Sequence, residues 1–373
     1  MIVGVLKEPE GEARVALTPS VIKKLAESPL RLEFRVESQA GAAAGYTDDQ
    51  FSAAGALVES RKLLLERAQI LPCVRMPDEA ALHALRPHTV LLGQLNPLKN
   101  NAALKSLARL GVSAFALEWL PRITRAQSMD ILSSQNNLAG YQAVILAAAT
   151  LGRAFPLMMT AAGSVPAAHV LVVGAGVMGL QVLATAKRLG AVVSAFDVRV
   201  AAKEQVESLG ATFISVESPE TGEGQGGYAK AMSASYQILQ EEKLLSVLPK
   251  QDVVITTAQI QNKSAPQILT KKLVRALKDG ALILDLSIES GGNCELSQPD
   301  REVVFENKRI LAPSCLVNQL AATASPLFAS NIAAFIKTLF RFEKDAVAFD
   351  LQDDLIQSTL LTYEGRLVHP LCK

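Results

Sequence analysis

Cysteine and histidine are both scarce in this chain, four of each among 373 residues. The cysteines, Cys73, Cys294, Cys315 and Cys372, stand far apart, which excludes a zinc ligand set, a CxxC redox pair and a disulfide framework. A reducing cytosol fits that usage, and no metal site is expected. An excess of one charge is missing too: 37 Lys and Arg face 36 Asp and Glu, a net charge of +1. That balance leaves no electrostatic footprint for nucleic acid or a lipid surface, so any partner is recognised locally. Long hydrophobic runs are absent as well. The most apolar stretch, "LAGYQAVILAAATLGRAFPLMM", meets Gln142, Arg153 and Pro156 before about 18 clean residues accumulate. The opening "MIVGVLKEPEGEARVAL" has no n-region, long h-region or cleavage site and reads as a strand. No transmembrane helix is expected.

What is present is alternation. The runs "IVGVL", "RLEFRVE", "QILPCVRM", "TVLLGQL" and "VSAFALEWL" are separated by helical patterns such as "SVIKKLAES", "RKLLLERA" and "NAALKSLARLG". A second series, "HVLVVGAG", "VVSAFDV", "TFISV", "QDVVITTA", "ALILDLSI" and "RILAPSCL", repeats the scheme. Each series predicts a parallel sheet covered by helices, and the length suits two domains. Between them a helix of about 15 residues, beginning near Asn137, is expected to connect the domains. Near the end, Ser325 reads as an N-cap and Pro326 as the first residue of an amphipathic helix that returns the chain. The expected boundaries are 1–136 with 320–373 for a discontinuous first domain and 137–319 for the second. Residues 217 to 235, rich in Gly, Glu and Ser, read as a mobile loop.

The second series carries a signature. Gly174, Gly176 and Gly179 have GxGxxG spacing, follow a β-branched strand and open a helix. The first glycine permits the tight turn, the second lets a pyrophosphate approach the backbone, and the third lets helix and strand pack closely. Ala175, Val177 and Met178 complete the turn. Asp197 ends the next strand, 18 residues beyond Gly179, where an acid bonds ribose hydroxyls and repels a 2′-phosphate. Val198 and Arg199 follow it, and Arg199 is the one residue nearby able to accept a phosphate. The fold class is therefore α/β with two doubly wound Rossmann-like domains, the second carrying the dinucleotide motif, and NAD(H) is the expected nucleotide.

An alcohol or amine dehydrogenase needs a group that takes the released proton. His83, His88, His169 and His369 lie at helix ends, a strand start and the tail, where each reads as a surface or packing residue. Hydride transfer between two nicotinamides needs positioning rather than acid or base. The stretch "PRITRAQSMDILSSQNNLAGYQAV" supplies Arg122, Arg125, Gln127 and Asp130 within nine positions, groups suited to a planar amide.

Together with "MMTAAGSVPAAHVLVVGAGVMGLQ", "ATAKRLGAVV", "DVR", "KEQVESLGATF", "GGYAKAM", "GGNC" and "ASPLFASN", this stretch resembles the NAD(H)-binding alpha subunit of proton-translocating nicotinamide nucleotide transhydrogenase, over essentially the whole chain. The resemblance implies that NADH binds here and passes hydride to NADP⁺ on a separate beta subunit, while membrane subunits couple this to proton movement. It implies a chain held peripherally on the cytoplasmic face of a bacterial inner membrane through those partners. It places Arg122, Gln127, Asp130 and Ser133 around the nicotinamide, with Gln127 acting from the neighbouring subunit of a homodimer, and makes Tyr228 the tyrosine of a closing loop. Alanine dehydrogenase is the nearest architectural relative, which "KEPEGEARVALTP" also resembles. Where that enzyme has a lysine and a histidine, this chain has Arg75 and Asn96; Arg14 is retained and Glu289 replaces an aspartate. An alanine dehydrogenase-like activity and a non-catalytic NAD-binding regulator are the alternatives.

Overall fold

Runs of Val, Ile, Leu and Phe bounded by polar turns form the first strands of the computed structural model, which describes residues 1–224, 229–260, 263–343 and 346–372. β1 (Ile2–Val5), β2 (Glu33–Glu37), β3 (Ala56–Glu59), β4 (Ile70–Arg75), β5 (Val90–Gln94) and β6 (Ser113–Ala116) pair in parallel in the order β6-β5-β4-β1-β2-β3. Side-chain alternation sends Val3, Val5, Phe34, Val36, Val90 and Phe115 to one face, and Leu71, Cys73, Leu91 and Ala114 to the other. Leu64, Leu65, Leu104 and Leu107 cover the second face from helices Arg61–Arg67 and Asn101–Arg109. Both faces are therefore dry, as a parallel sheet requires.

The helix Ile131–Thr150 has 20 residues and begins six positions before the expected Asn137. Asp130 is the reason: its Oδ1 accepts the Ser133 backbone N–H at 2.9 Å and its Oδ2 the Ser133 hydroxyl at 2.6 Å, which caps the first turn. The polar run after it, Ser133 to Asn136, is helical despite its turn-like composition.

The second unit opens with an exposed hairpin, β7 (Met158–Thr160) and β8 (Gly163–Val165). Then come β9 (His169–Val173), β10 (Val192–Phe196), β11 (Thr212–Ile214), β12 (Val253–Thr256), β13 (Leu282–Asp285), β14 (Val303–Phe305) and β15 (Lys308–Leu311). Their order is β11-β10-β9-β12-β13-β15-β14, parallel except for the edge strand β14. Val170, Val172, Val253 and Ile255 pack on helix Val177–Arg188 and on Ala143, Val144 and Ala147; Leu171, Val173, Val254 and Ile283 pack against Leu244, Leu273 and Val274.

The chain then enters the helix Ala321–Leu339. It starts before the expected Ser325 cap and carries Pro326 inside. Ser325 is not a cap but a buried hydroxyl that donates to the Ala321 carbonyl at 2.7 Å and accepts the Val15 N–H at 3.1 Å. A proline this near the start removes a single helical donor, that to the Ala322 carbonyl, so the helix tolerates it. The stretch Leu316–Leu339 is long and apolar enough to cross a membrane by length and composition, yet Phe328, Ile332, Phe335 and Ile336 are fully buried in the first core. A small hairpin, β16 (Arg341–Glu343) and β17 (Ala346–Ala348), leads to β18 (Leu360–Tyr363) and β19 (Arg366–Leu367). β18 pairs antiparallel with β6 and brings the first sheet to eight strands. The units are Met1–Gln135 with Val317–Lys373, and Asn136–Leu316.

Candidate functional site

In the second unit the end of β9 turns sharply at Gly174, whose φ of +101° favours glycine. A Cβ there would stand 2.9 Å from the Ala258 nitrogen and the Thr257 Oγ1. Gly179, in the first turn of the following helix, comes closer still: a Cβ would lie 1.9 Å from the Gly174 carbonyl oxygen. At Gly176 a Cβ would meet nothing within 4 Å, so that side of the turn is open. Val177 and Met178 start the helix, and its unpaired N–H groups suit an anion.

Asp197, only 7% exposed at the end of β10, ties the turn to the neighbouring strand. Its Oδ2 accepts the Ala175 N–H at 2.7 Å and Arg199 Nη2 at 2.7 Å. Its Oδ1 accepts the Arg199 N–H at 2.8 Å and Arg199 Nε at 2.9 Å. Each oxygen thus receives two donors, the full complement of its lone pairs. Hydrogen bonding to Asp197 also raises the Arg199 pKa. The acid and the arginine are one ion pair, not two independent readers of a ribose.

The turn is braced by residues outside the glycine fingerprint. Thr257, just past β12, donates its hydroxyl to the Gly174 carbonyl at 2.8 Å. Asn293 holds the next residue, Ala258, from both sides: its Oδ1 accepts the Ala258 N–H at 3.0 Å and its Nδ2 donates to the Ala258 carbonyl at 2.9 Å. Buried Asp285 in turn accepts the Asn293 N–H at 2.8 Å and the Ser297 hydroxyl at 2.8 Å. Gly140 is a further member, since a Cβ there would stand 2.5 Å from the Met178 carbonyl. A glycine inside an otherwise good helix is the sequence signal for such an approach. For Thr257 the signal is a polar residue ending a buried strand.

The Gly-rich stretch after β11 has specific anchors. The Gly222 N–H donates to the Val198 carbonyl at 3.1 Å, Glu220 accepts the Ser233 N–H at 3.1 Å, and Ala229 bridges to Ile260. Tyr228 lies outside the described residues.

The other group of expected residues belongs to the first unit. Thr124–Met129 forms a 3₁₀ turn in which Ala126 and Met129 are buried while Gln127 is exposed. Arg122 is exposed before it, and Arg125 forms an ion pair with Asp353. Asp130 and Ser133 are in direct contact through the cap described above.

At the carboxyl ends of β1 and β4 the first unit has a buried charged cluster. Glu8 accepts the Val74 and Arg75 N–H groups at 2.7 and 3.0 Å, and burial raises its pKa to about 8. Glu12 holds Arg14 through two 2.7 Å bonds and Arg75 through one of 3.3 Å. Glu118 accepts the N–H of Asn96, which adopts φ +46°, and burial raises its pKa to about 7. Of the histidines, His369 stacks on Trp119 with ring centroids 4.4 Å apart, and burial lowers its pKa. The side chain of His169 is exposed, while its N–H donates to Asp252 at 2.8 Å.

Residues 4–139 match the N-terminal domain, and residues 143–370 the C-terminal domain, of the alanine dehydrogenase/PNT family. The first of the chains that make up NAD(P) transhydrogenase subunit alpha in Rhodospirillum rubrum is 46% identical over 370 residues, 96% of this chain and 95% of that one. The crystal structure of transhydrogenase from Sinorhizobium meliloti superposes with a TM-score of 0.89 at 41% identity, covering 99% of this chain and 100% of that one. An L-alanine dehydrogenase structure gives a TM-score of 0.80 at 22% identity, covering 100% of this chain and 98% of that one, a likeness of fold alone.

Proposed function

The chain belongs to the alanine dehydrogenase/PNT family, as a relative of the NAD(P) transhydrogenase alpha subunits, and from that premise we propose that it binds NAD(H) and delivers hydride directly to NADP⁺ held on a separate beta subunit. The observation that carries the reading is the glycine turn tied to Asp197 through the Ala175 N–H. A dinucleotide site needs that close backbone approach and that acid beside it. The two units are its domains: the second grips the nucleotide, the first supplies the loop for the nicotinamide.

Bound dihydronicotinamide supplies the hydride. The chain's part is to hold and expose the ring. Gln127 matches the carboxamide's donor and acceptor, Arg122 serves ring and diphosphate, and Asp130 with Ser133 fixes the start of the helix beside them. Transfer between two nicotinamide carbons releases no exchangeable proton, so no base is needed, but alignment is. Gln127 acts from the neighbouring subunit of a homodimer. The hairpin β7–β8 supports a second copy, because Leu157 and Met159 are 63% and 85% exposed there. Membrane subunits couple transfer to proton translocation and hold this chain peripherally on the cytoplasmic face of a bacterial inner membrane.

An alanine dehydrogenase-like reaction fits less well. Arg75 stands in place of a lysine and is bound to Glu12, and a guanidinium does not give up its proton. The test mixes the purified chain with an NADP(H)-binding beta-subunit domain and follows hydride from NADH to an NADP⁺ analogue by absorbance. Transfer that needs both proteins is expected. NADH binding without any transfer, or reduction of pyruvate with ammonia by the chain alone, would reject the reading.

A further inference from the structure

The helix Ala321–Leu339 turns an apolar stripe of Phe328, Ile332, Phe335 and Ile336 into the first core, yet Asn331 sits beside that stripe at 8% exposure. A buried amide needs partners, and both of its ends find them in the nicotinamide loop and the helix that follows. Its Nδ2 donates to the Ser128 carbonyl at 2.8 Å, and its Oδ1 accepts the Ser134 hydroxyl at 2.8 Å. Ser128 directly follows Gln127. Resting on the function proposed above, we propose that Asn331 is a positioning residue, which fixes the backbone carrying Gln127 and so sets where the carboxamide is held.

The bonds continue into the unit without a break. Ser134 accepts Gln135 Nε2 at 3.2 Å, Gln135 Oε1 accepts Arg14 Nη1 at 2.9 Å, and Arg14 is held by Glu12. Gln135 Nε2 also donates to the Ala324 carbonyl at 3.2 Å, which returns the network to the helix of Asn331. The anchor is therefore rigid on its far side. Ala126 and Met129, each 1% exposed, seat the loop by apolar contact, but apolar contact carries no direction. The hydrogen bond to Ser128 supplies it. Core stability alone does not call for this amide, since an aliphatic residue of similar volume would join the surrounding phenylalanines without polar atoms to satisfy.

The experiment compares the wild-type chain with Asn331→Leu, Gln127→Ala and the double variant. It measures single-turnover hydride transfer with the beta-subunit domain, the NADH dissociation constant, and amide hydrogen exchange over residues 124 to 130. Asn331→Leu should slow transfer at least about fivefold, with the dissociation constant changed by less than about twofold, and should speed exchange in the loop. In the Gln127→Ala background the same change should slow transfer no further, because its route of action is already gone. A purely structural residue would multiply with Gln127→Ala instead, and that result overturns the proposal. Should Asn331→Leu not fold, Ser134→Ala removes the donor to Oδ1 while leaving the amide, and a smaller change of the same kind is expected. Unchanged loop exchange in a folded variant overturns the positioning role whatever the transfer assay gives. A wild-type chain that binds NADH and transfers nothing overturns the function reading instead.

Discussion

The two sheets follow one plan. Counted along each unit, the strands lie in the order 3-2-1-4-5-6, as β3-β2-β1-β4-β5-β6 and as β11-β10-β9-β12-β13-β15. In both, the strand order reverses between the first and fourth strands, where open α/β sheets bind ligands. In the second unit the first strand leads into a glycine turn with its helix N-terminus open. In the first unit β1 leads into Glu8, Glu12 and Arg14, and the crevice is closed by Glu8 accepting the Val74 and Arg75 N–H groups. The same topology thus gives a backbone cradle in one case and a self-satisfied charge cluster in the other. Topology selects the place, and the first connection decides what the place can do.

The largest expected effect comes from removing the cradle. Gly179→Val puts a side chain where a Cβ already stands 1.9 Å from the Gly174 carbonyl. Helix and strand must separate, and NADH affinity should fall by at least about a hundredfold or the second unit should unfold. Calorimetry and circular dichroism distinguish these results. Near-wild-type affinity would mean that the turn is not the nucleotide site.

The exposed loop should show the opposite signature. Gln127→Ala should slow single-turnover transfer at least about tenfold while the NADH dissociation constant changes less than the rate. Loss of affinity in full proportion to rate would make the loop a clamp. At the next level, Asp197→Asn should break the ion pair and leave Arg199 available to a 2′-phosphate. The preference for NADH over NADPH should narrow by about tenfold in competitive titrations. An unaltered preference would take the discrimination away from this pair.

The smallest effect belongs to the charge cluster. Burial raises the Glu8 pKa from 4.5 to about 8, so the folded state binds the Glu8 proton more tightly than the unfolded chain does. Its contribution is fully present below about pH 4.5 and is lost as pH rises towards 8, with a slope of at most about 1.36 kcal/mol per pH unit. In denaturant titrations between pH 5 and 8, Glu8→Gln should show a flatter decline than the wild-type chain. Parallel declines would mean that Glu8 is not the titrating group.

Most of both sheets is legible in the sequence because parallel strands buried on both faces read as short Val, Ile and Leu runs between polar punctuation. Ala56–Glu59 escapes that rule, being short, half-polar and at an edge directly after Gly55. β18 escapes it for another reason: its pairing with β6 spans most of the chain, and no local pattern encodes it. The early helix starts at Ile131 and Ala321 escape because the polar residues there turn sideways, Ser134 to Asn331 and Ser325 to Val15. The glycine spacing is visible in one short window. The bonds that brace the turn are not, since Thr257 reaches Gly174 across 83 positions and Asn293 acts through Ala258. That Arg199 saturates Asp197 also needs coordinates, because the same two residues could equally face a ligand.

The pairing of β18 with β6 bears on the order of events during synthesis. Thr362 Oγ1 donates to the Val112 carbonyl at 2.7 Å and accepts the Ala114 N–H at 3.0 Å, so the edge of β6 waits for some 250 further residues to be translated. The second unit, contiguous from Asn136 to Leu316, has all its strands before the helix Ala321–Leu339 has even been made. On the ribosome the nucleotide cradle can close early, while the first sheet stands with an open edge and Phe115 uncovered by Phe335 and Phe340. The half-made first unit is thus where a growing chain is most exposed to wrong pairing, and the last stretch to be translated completes its edge.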